Sequence, residues 1–295
     1  MEGAKMNFFT TKNKTRIYFV IPCLITLLLS GCALKRTDYP QKNVPDNTVD
    51  KKEDYGVFLS LDSSDLDKIK EYHTVVIDAQ FFSKEDIVQL KEQGSTVYSY
   101  FNIGSIENFR DYYNTYSYLA LGGYENWEEE QWINVAEPVW QKFLISLEED
   151  LLAKGIDGFF VDNCDVYYKH STNDIFKGLK TILEHLRKYN KPVIINGGDT
   201  FVMKYKNRYG SLQKIMTGVN QESVFSNIDF KSGTFSPQSD DDSMYFKSYI
   251  ETCNNAGLDV YILEYTTDDK LRKQIESYCK MNQFHCYISD SIELD

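Results

Sequence analysis

The chain has 295 residues, of which 42% are hydrophobic and 15% aromatic, and a formal net charge of −12. Its 44 acids against 32 Lys and Arg argue against nucleic acid as a partner, because phosphate binding needs clustered basic residues. The same balance argues against adsorption to anionic lipid through a basic patch and suits a cationic or neutral ligand.

Lys5, Lys12, Lys14 and Arg16 precede an apolar run from Ile17 to Leu29. The run is short for a membrane span, which needs about 20 residues, and fits the apolar core of a signal peptide. It ends in Leu29-Ser30-Gly31-Cys32, which resembles the bacterial lipoprotein signature of a Leu, two small residues and a Cys. The resemblance implies cleavage of residues 1–31, lipid on Cys32 and a chain held to the membrane outside the cytoplasm. An uncleaved N-terminal anchor would place the rest of the chain on the same side. Cleavage would leave 28 basic and 43 acidic residues, a formal charge of −15. Residues 32–54 are polar, carry Pro40 and Pro45 and lack apolar periodicity, so they read as a flexible tether. Residues 55–295 are long enough for one domain with one large core.

Short apolar strands then alternate with helical patterns. Tyr55–Ser60 reads as a strand and Ser63–Glu71 as a short helix; Thr74–Ala79 is a β-branched run suited to a strand covered on both faces. Ser83 caps the next helix, with Asp86 three residues on, and Gly94 ends it. Thr96–Asn102 is the third strand. The segment 103–132 reads as a long irregular loop, a length that in a compact domain usually serves function. Ala136–Lys154 is a helix with Pro138 in its first turn and Gly155 beyond its end. Strands Gly158–Asp162, Pro192–Asn196, Ile215–Asn220, Leu258–Glu264 and Phe284–Ile288 follow. Helices over Asp174–Tyr189, Thr200–Tyr209, Ser243–Ala256 and Asp269–Met281 alternate with them. Ser232–Asp242 reads as a mobile loop, its acid run favouring a helix start. Eight strands with intervening helices predict a single-domain (β/α)₈ TIM barrel within the α/β class, without the usual closing helix after Ile288. Of the cysteines after Cys32, Cys164, Cys253, Cys279 and Cys286 form no Cys-x-x-Cys pair, and with four His in the chain no metal site is expected. A disulfide among Cys253, Cys279 and Cys286 stays open.

In such barrels chemistry sits at the C-terminal ends of the strands. Polar residues gather there: Asp78, Tyr100 and Asn102, then Asp162, Asn163 and Asp165, Asn196, Gln221 and Glu222, and Glu264 and Tyr265. Carboxyl groups converging on one mouth, with aromatics in the loops, describe a sugar site. Glycoside hydrolysis needs one carboxyl to protonate the leaving oxygen and another to attack or to activate water. Trp127, Trp132, Tyr112, Tyr113 and Tyr124 offer flat faces for sugar rings. Glu107 and Arg110 have the spacing of an ion pair.

Several of these segments resemble glycoside hydrolase family 114, the endo-α-1,4-polygalactosaminidase family. They are Gly155-Ile-Asp-Gly-Phe-Phe-Val-Asp162-Asn-Cys-Asp165, Tyr98-Ser-Tyr100-Phe-Asn102-Ile-Gly104-Ser-Ile-Glu107-Asn-Phe-Arg110, Trp132-Ile-Asn-Val, Asn196-Gly197 and Asn220-Gln221-Glu222. The likeness runs from Tyr55 to about Ile288. Asn102 and Glu264 stand where the family often has Ser and Asp. The resemblance implies cleavage of α-1,4-linked galactosamine or N-acetylgalactosamine polymers, without cofactor, by Asp162 as nucleophile and Glu222 as general acid/base in a retaining reaction. Asp78, Tyr100, Asn102, Glu107, Asp165, Asn196, Glu264, Tyr265, Trp127 and Trp132 are the candidate substrate-binding residues, and the chain is expected to act as a monomer. The same mouth also suits a surface lipoprotein that holds glycan without cutting it, or a glycosidase for another exported glycan.

Overall fold

The computed structural model describes residues 52–295; the leader, Cys32 and the tether as far as Lys51 lie outside the described residues. Eight parallel strands run in chain order: β1 (Glu53–Phe58), β2 (Tyr72–Ile77), β3 (Thr96–Asn102), β4 (Gly158–Asp162), β5 (Val193–Asn196), β6 (Gly218–Glu222), β7 (Asp259–Tyr265) and β8 (His285–Ser289). Each pairs with its successor, giving the nearly closed barrel that the strand and helix pattern predicts. β1 opens at Glu53, which pairs with Tyr72, so barrel begins two residues inside the expected tether.

The strands carry residues for two apolar faces. In β2, Val76 joins Tyr55, Val57, Tyr98, Phe160 and Ile194 inside the barrel. Its neighbours Val75 and Ile77 point the other way, into the layer shared with Phe101, Phe159 and Val161. Gly158 starts β4 because a Cβ there would fall 2.4 Å from the Tyr98 ring.

Six helices of nine residues or more cover the outside: α1 (Lys84–Glu92), α2 (Pro138–Lys154), α3 (Asn173–Leu186), α4 (Asp199–Tyr209), α5 (Asp240–Asn254) and α6 (Asp269–Asn282). The expected capping box is present: Ser83 Oγ accepts from Asp86 N at 3.1 Å and Ser83 N donates to Asp86 Oδ2 at 2.7 Å. α2 starts at Pro138, two residues later than expected, since proline suits the first helical position. The acid run Asp240–Asp242 is the first turn of α5, capped by Ser239. Cys164, Cys253, Cys279 and Cys286 are free thiols.

Two expectations about loops are corrected. The segment after β3 is not irregular: Ser105–Glu107, Ala120–Gly123 and Glu130–Ile133 form a small antiparallel sheet above the barrel. Part of the segment expected as a loop after β6 is a hairpin, Ser226–Asp229 paired with Thr234–Pro237. The place of a closing helix is taken by the C-terminal tail. Leu294 O accepts from Leu59 N at 3.0 Å, Glu293 O accepts from Ser60 Oγ, and the Leu294 side chain is buried with the barrel interior.

Candidate active site

One side-chain amide organises the mouth. Asn196, at the end of β5, donates through Nδ2 to Asp162 Oδ1 at 3.0 Å and to Glu222 Oε1 at 2.7 Å. Both N–H bonds of that nitrogen are therefore spent on the two acids, one ending β4 and the other ending β6. The amide is held in this sense from behind. Asn220 Nδ2 donates to Asn196 Oδ1 at 2.7 Å, and Tyr55 OH donates to Asn220 Oδ1 at 3.2 Å. Asp162 Oδ1 also accepts from Asn163 N at 2.9 Å, and Tyr265 OH donates to Glu222 Oε2 at 2.9 Å.

The two carboxyls differ in their surroundings. Burial raises Asp162 above the ordinary carboxylate range, while donors from Asn196, the Asn163 backbone and Tyr100 pull it back. Burial raises Glu222 as well, and the negative charge of Asp162 raises it further. Asp165, half-buried on the next turn, is raised to about 7 by burial and by its neighbours Asp199 and Asp162; its Oδ2 accepts from Gly198 N at 3.1 Å.

A polar network supports Asp162 from the β3 side. Asn163 has a left-handed backbone, φ 64°, which turns its side chain to Asn102 Oδ1 at 3.1 Å and Ser105 Oγ at 2.9 Å. Asn102 Nδ2 donates to the same Ser105 oxygen at 2.7 Å. Gly104 lets the chain pass: a Cβ there would lie 1.8 Å from the Asn163 carbonyl oxygen. Burial and the negative charges of Asp162, Glu130, Asp165 and Glu222 push the Tyr124 hydroxyl well above its ordinary pKa.

The candidate residues thus divide. Asp162, Glu222, Asn196, Tyr100, Tyr265 and Asp165 come together at the mouth. Asn102 is buried, and its amide is committed to Ser105 and Asn163 instead of the cleft. Asp78 and Glu107 are corrected as substrate contacts. Each is 2% exposed, and both bind Arg110, at 2.6 Å from Asp78 Oδ2 and 3.0 Å from Glu107 Oε1. Glu264 is corrected too. It is fully buried and accepts from Phe225 N (2.9 Å), Ser226 N (2.8 Å) and Ser226 Oγ (2.5 Å), so it anchors the start of the hairpin after β6. Trp132 is buried with one face stacked on Tyr124, centroids 4.2 Å apart; it supports that tyrosine and offers no free face. Tyr112 packs on Phe143 and Trp140 of α2. Trp127 stays 37% exposed, edge-on to Phe230 of the hairpin. Among the described residues no three His, Cys, Asp or Glu side chains are placed so that they could hold one metal ion.

Sequence reasoning about single positions missed Tyr55, Ser105, Glu130 and Asn220. Tyr55 looks like an ordinary core aromatic of β1. Asn220 lies two residues before Glu222 and so shares its face of the strand, which adds to its place in the Asn220-Gln221-Glu222 segment as a signal pointing to it.

The sequence model of glycoside-hydrolase family GH114 matches residues 37–291. The chain belongs to this family. It is therefore a glycoside hydrolase, and its substrate is a polysaccharide. Solved structures agree on the fold. The glycoside hydrolase domain of PelA from Pseudomonas aeruginosa is 18% identical with a TM-score of 0.70, over 82% of this chain and 96% of that one. Aspergillus fumigatus Ega3 in complex with galactosamine is 16% identical with a TM-score of 0.62, over 84% and 93%. Trehalose-6-phosphate hydrolase from Bacillus licheniformis, 11% identical over 82% and 65%, reaches a TM-score of 0.53. No curated protein matches the sequence.

Proposed function

We propose that this GH114 enzyme cleaves α-1,4-linked galactosamine or N-acetylgalactosamine polymers by a retaining mechanism, with Asp162 as nucleophile and Glu222 as general acid/base. The observation that carries the mechanism is the single Asn196 nitrogen shared by both carboxyls at 3.0 and 2.7 Å. Two oxygens on one nitrogen lie closer together than those two distances added. That is below the roughly 6.5 Å at which inverting pairs begin, and it suits the roughly 5–5.5 Å of a retaining pair. Burial raises both acids, but three donors favour the charged form of Asp162, which we assign as the one that attacks the anomeric carbon. Glu222, kept high by burial and by Asp162, holds the proton for the leaving oxygen. Glu222 then takes a proton from water, which cleaves the glycosyl–Asp162 ester. A galactosamine polymer is cationic, which accords with the acidity of the chain and of this mouth.

Incubation with galactosamine and N-acetylgalactosamine polymers is expected to release oligosaccharides with the anomeric configuration kept. Asp162→Asn and Glu222→Gln are each expected to lower the rate by on the order of 10²–10⁴. Release that survives both substitutions, or an inverted product, would remove the carboxyl pair from this role. The leader adds a place of action: a monomer tethered by lipid on Cys32 to the outer side of the membrane. Cys32→Ser is then expected to abolish labelling by fatty acid and to free the chain from the membrane fraction; unchanged labelling would refute lipidation there.

A further inference from the structure

The last helix and the last strand of the barrel each carry a cysteine. The buried face of α6 consists of Leu271, Ile275 and Cys279, spaced four residues apart and so pointing the same way. The helix ends where Gln283 takes a left-handed backbone, φ 60°, and Phe284 N donates to Cys279 O at 2.9 Å. β8 begins two residues on, at His285. Its side chains alternate between the barrel interior and the helix layer. His285 stacks on Tyr261 of the interior, centroids 4.6 Å apart. Cys286 therefore points outward, where it packs against the layer that holds Leu271, Ile275 and Cys279. The two thiols meet there, and the Cys279 S–H donates to Cys286 Sγ. Of the three cysteines between which the sequence leaves a disulfide open, these are the two that face each other. Cys253 lies fully buried on α5, its thiol against the Tyr249 hydroxyl, and Cys164 is fully buried just after Asp162. The facing pair differs in access. Cys279 is 2% exposed, whereas Cys286 is half-buried. The hydrogen bond from Cys279 also lowers the Cys286 thiol below its ordinary range, which makes Cys286 the one that ionises first.

We propose that Cys279 and Cys286 are joined as a disulfide in the exported protein, a cross-link that pins α6 to the last strand of the barrel. The inference rests on the placement outside the cytoplasm proposed above, because thiols stay reduced in the cytosol and oxidise beyond it. The oxidant is a disulfide compound or a disulfide-bearing oxidoreductase. The Cys286 thiolate attacks one sulfur of the oxidant, whose S–S bond breaks, and the first oxidant thiol leaves with the proton that Cys286 gave up. Cys279 then loses its proton and its sulfur attacks Cys286 Sγ, which breaks the mixed disulfide and releases the second oxidant thiol. The protein loses two protons and two electrons, and one oxidant disulfide becomes two thiols.

The test uses the full chain, reduced, then treated with oxidised glutathione and digested with trypsin. Lys280 lies between the two cysteines, so cleavage after it puts them on separate peptides, residues 274–280 and 281–295. Mass spectrometry is expected to find these peptides joined, with two hydrogens lost, and Cys164 and Cys253 still open to alkylation after unfolding. Oxidation is expected to raise Tm by about 5–10 °C over the reduced chain. Cys279→Ser is expected to stop at a mixed disulfide between Cys286 and glutathione, and Cys286→Ser to leave Cys279 reduced. Peptides that stay separate in the unsubstituted chain, or a Cys286 that keeps its glutathione there, overturn the proposal, and neither result needs a variant that folds. In cells whose thiols are blocked by alkylation at lysis, the joined peptides are expected from the membrane fraction. A chain found reduced on the outer side of the membrane overturns the bond alone. A chain found reduced in the cytoplasm overturns the exported placement, and this inference with it.

Discussion

Asn196 gives the mouth its chemical asymmetry. An amide can point its oxygen or its nitrogen at two acids, and only the nitrogen stabilises them. The choice is made two residues of network away, where Tyr55 OH donates to Asn220 and Asn220 donates to the Asn196 oxygen. Glu222 has one further donor of its own, the Tyr265 hydroxyl at 2.9 Å. A hydrogen bond to the charged form lowers a carboxyl pKa, so Tyr265→Phe raises Glu222 further. A general acid works while protonated, and the alkaline limb of the kcat/KM profile marks the loss of its proton. Tyr265→Phe is therefore expected to move that limb to higher pH and to leave the acidic limb, set by ionisation of Asp162, in place. Asn196→Ala removes a donor from both acids. Both limbs are expected to rise, and kcat to fall about 10–100-fold, as befits hydrogen bonds to charged groups. A pH–rate series on the two variants checks this; an alkaline limb unmoved in Tyr265→Phe would mean that Glu222 is not the acid.

At the scale of elements, the barrel strands were legible because each must be apolar on both faces and short. That signature survives in TVVIDA around β2 and in the run from Gly158 to Asp162. Boundaries slipped where apolar residues continue past the strand. Ile215 and Met216 look like the start of the sixth strand, but they are buried in the turn before it, and β6 begins at Gly218. The small sheet above β3 was not legible, since strands of three or four residues hold no readable alternation and their pairing joins positions as distant as Ser105 and Trp132. The same blindness misplaced side chains. Glu264 ends a barrel strand, as a catalytic acid would, but the hairpin after β6 folds back over it and fills its oxygens with Phe225 and Ser226. Glu130 ends a run of three acids, as a solvated surface residue would, but pairing with Glu107 turns it inward. Strand-end position brings Asp162, Glu222 and Asn196 to one mouth, whereas what the loops cover or expose depends on contacts between distant segments.

At the largest scale, the described residues 52–295 form a ring of eight strands with a seam between β8 and β1 that is closed without a strand ladder. His285 Nδ1 meets Asp54 Oδ2 at 2.5 Å, Phe58 packs on Tyr287 with centroids 5.5 Å apart, and the tail brings Leu294 into the barrel interior. Leu294 O also accepts the backbone N–H of Leu59, just past the end of β1. The seam matters to the site because Tyr55, which directs Asn220 and through it Asn196, sits on β1. Leu294→Ala leaves the backbone bonds available and removes the apolar plug. Truncating a buried leucine costs about 2 kcal/mol or more, which in a domain of this size lowers Tm by about 4–8 °C. Hydrogen exchange is expected to quicken in β1 and β8 while β4 and β5 keep their protection, since a seam opens locally before the ring does. On warming, activity is expected to fall before global unfolding begins, as Tyr55 loses its hold on Asn220. Exchange that quickens evenly around the ring, or activity that follows the global melt, would show that the tail stabilises the fold without guarding the Asn196 amide.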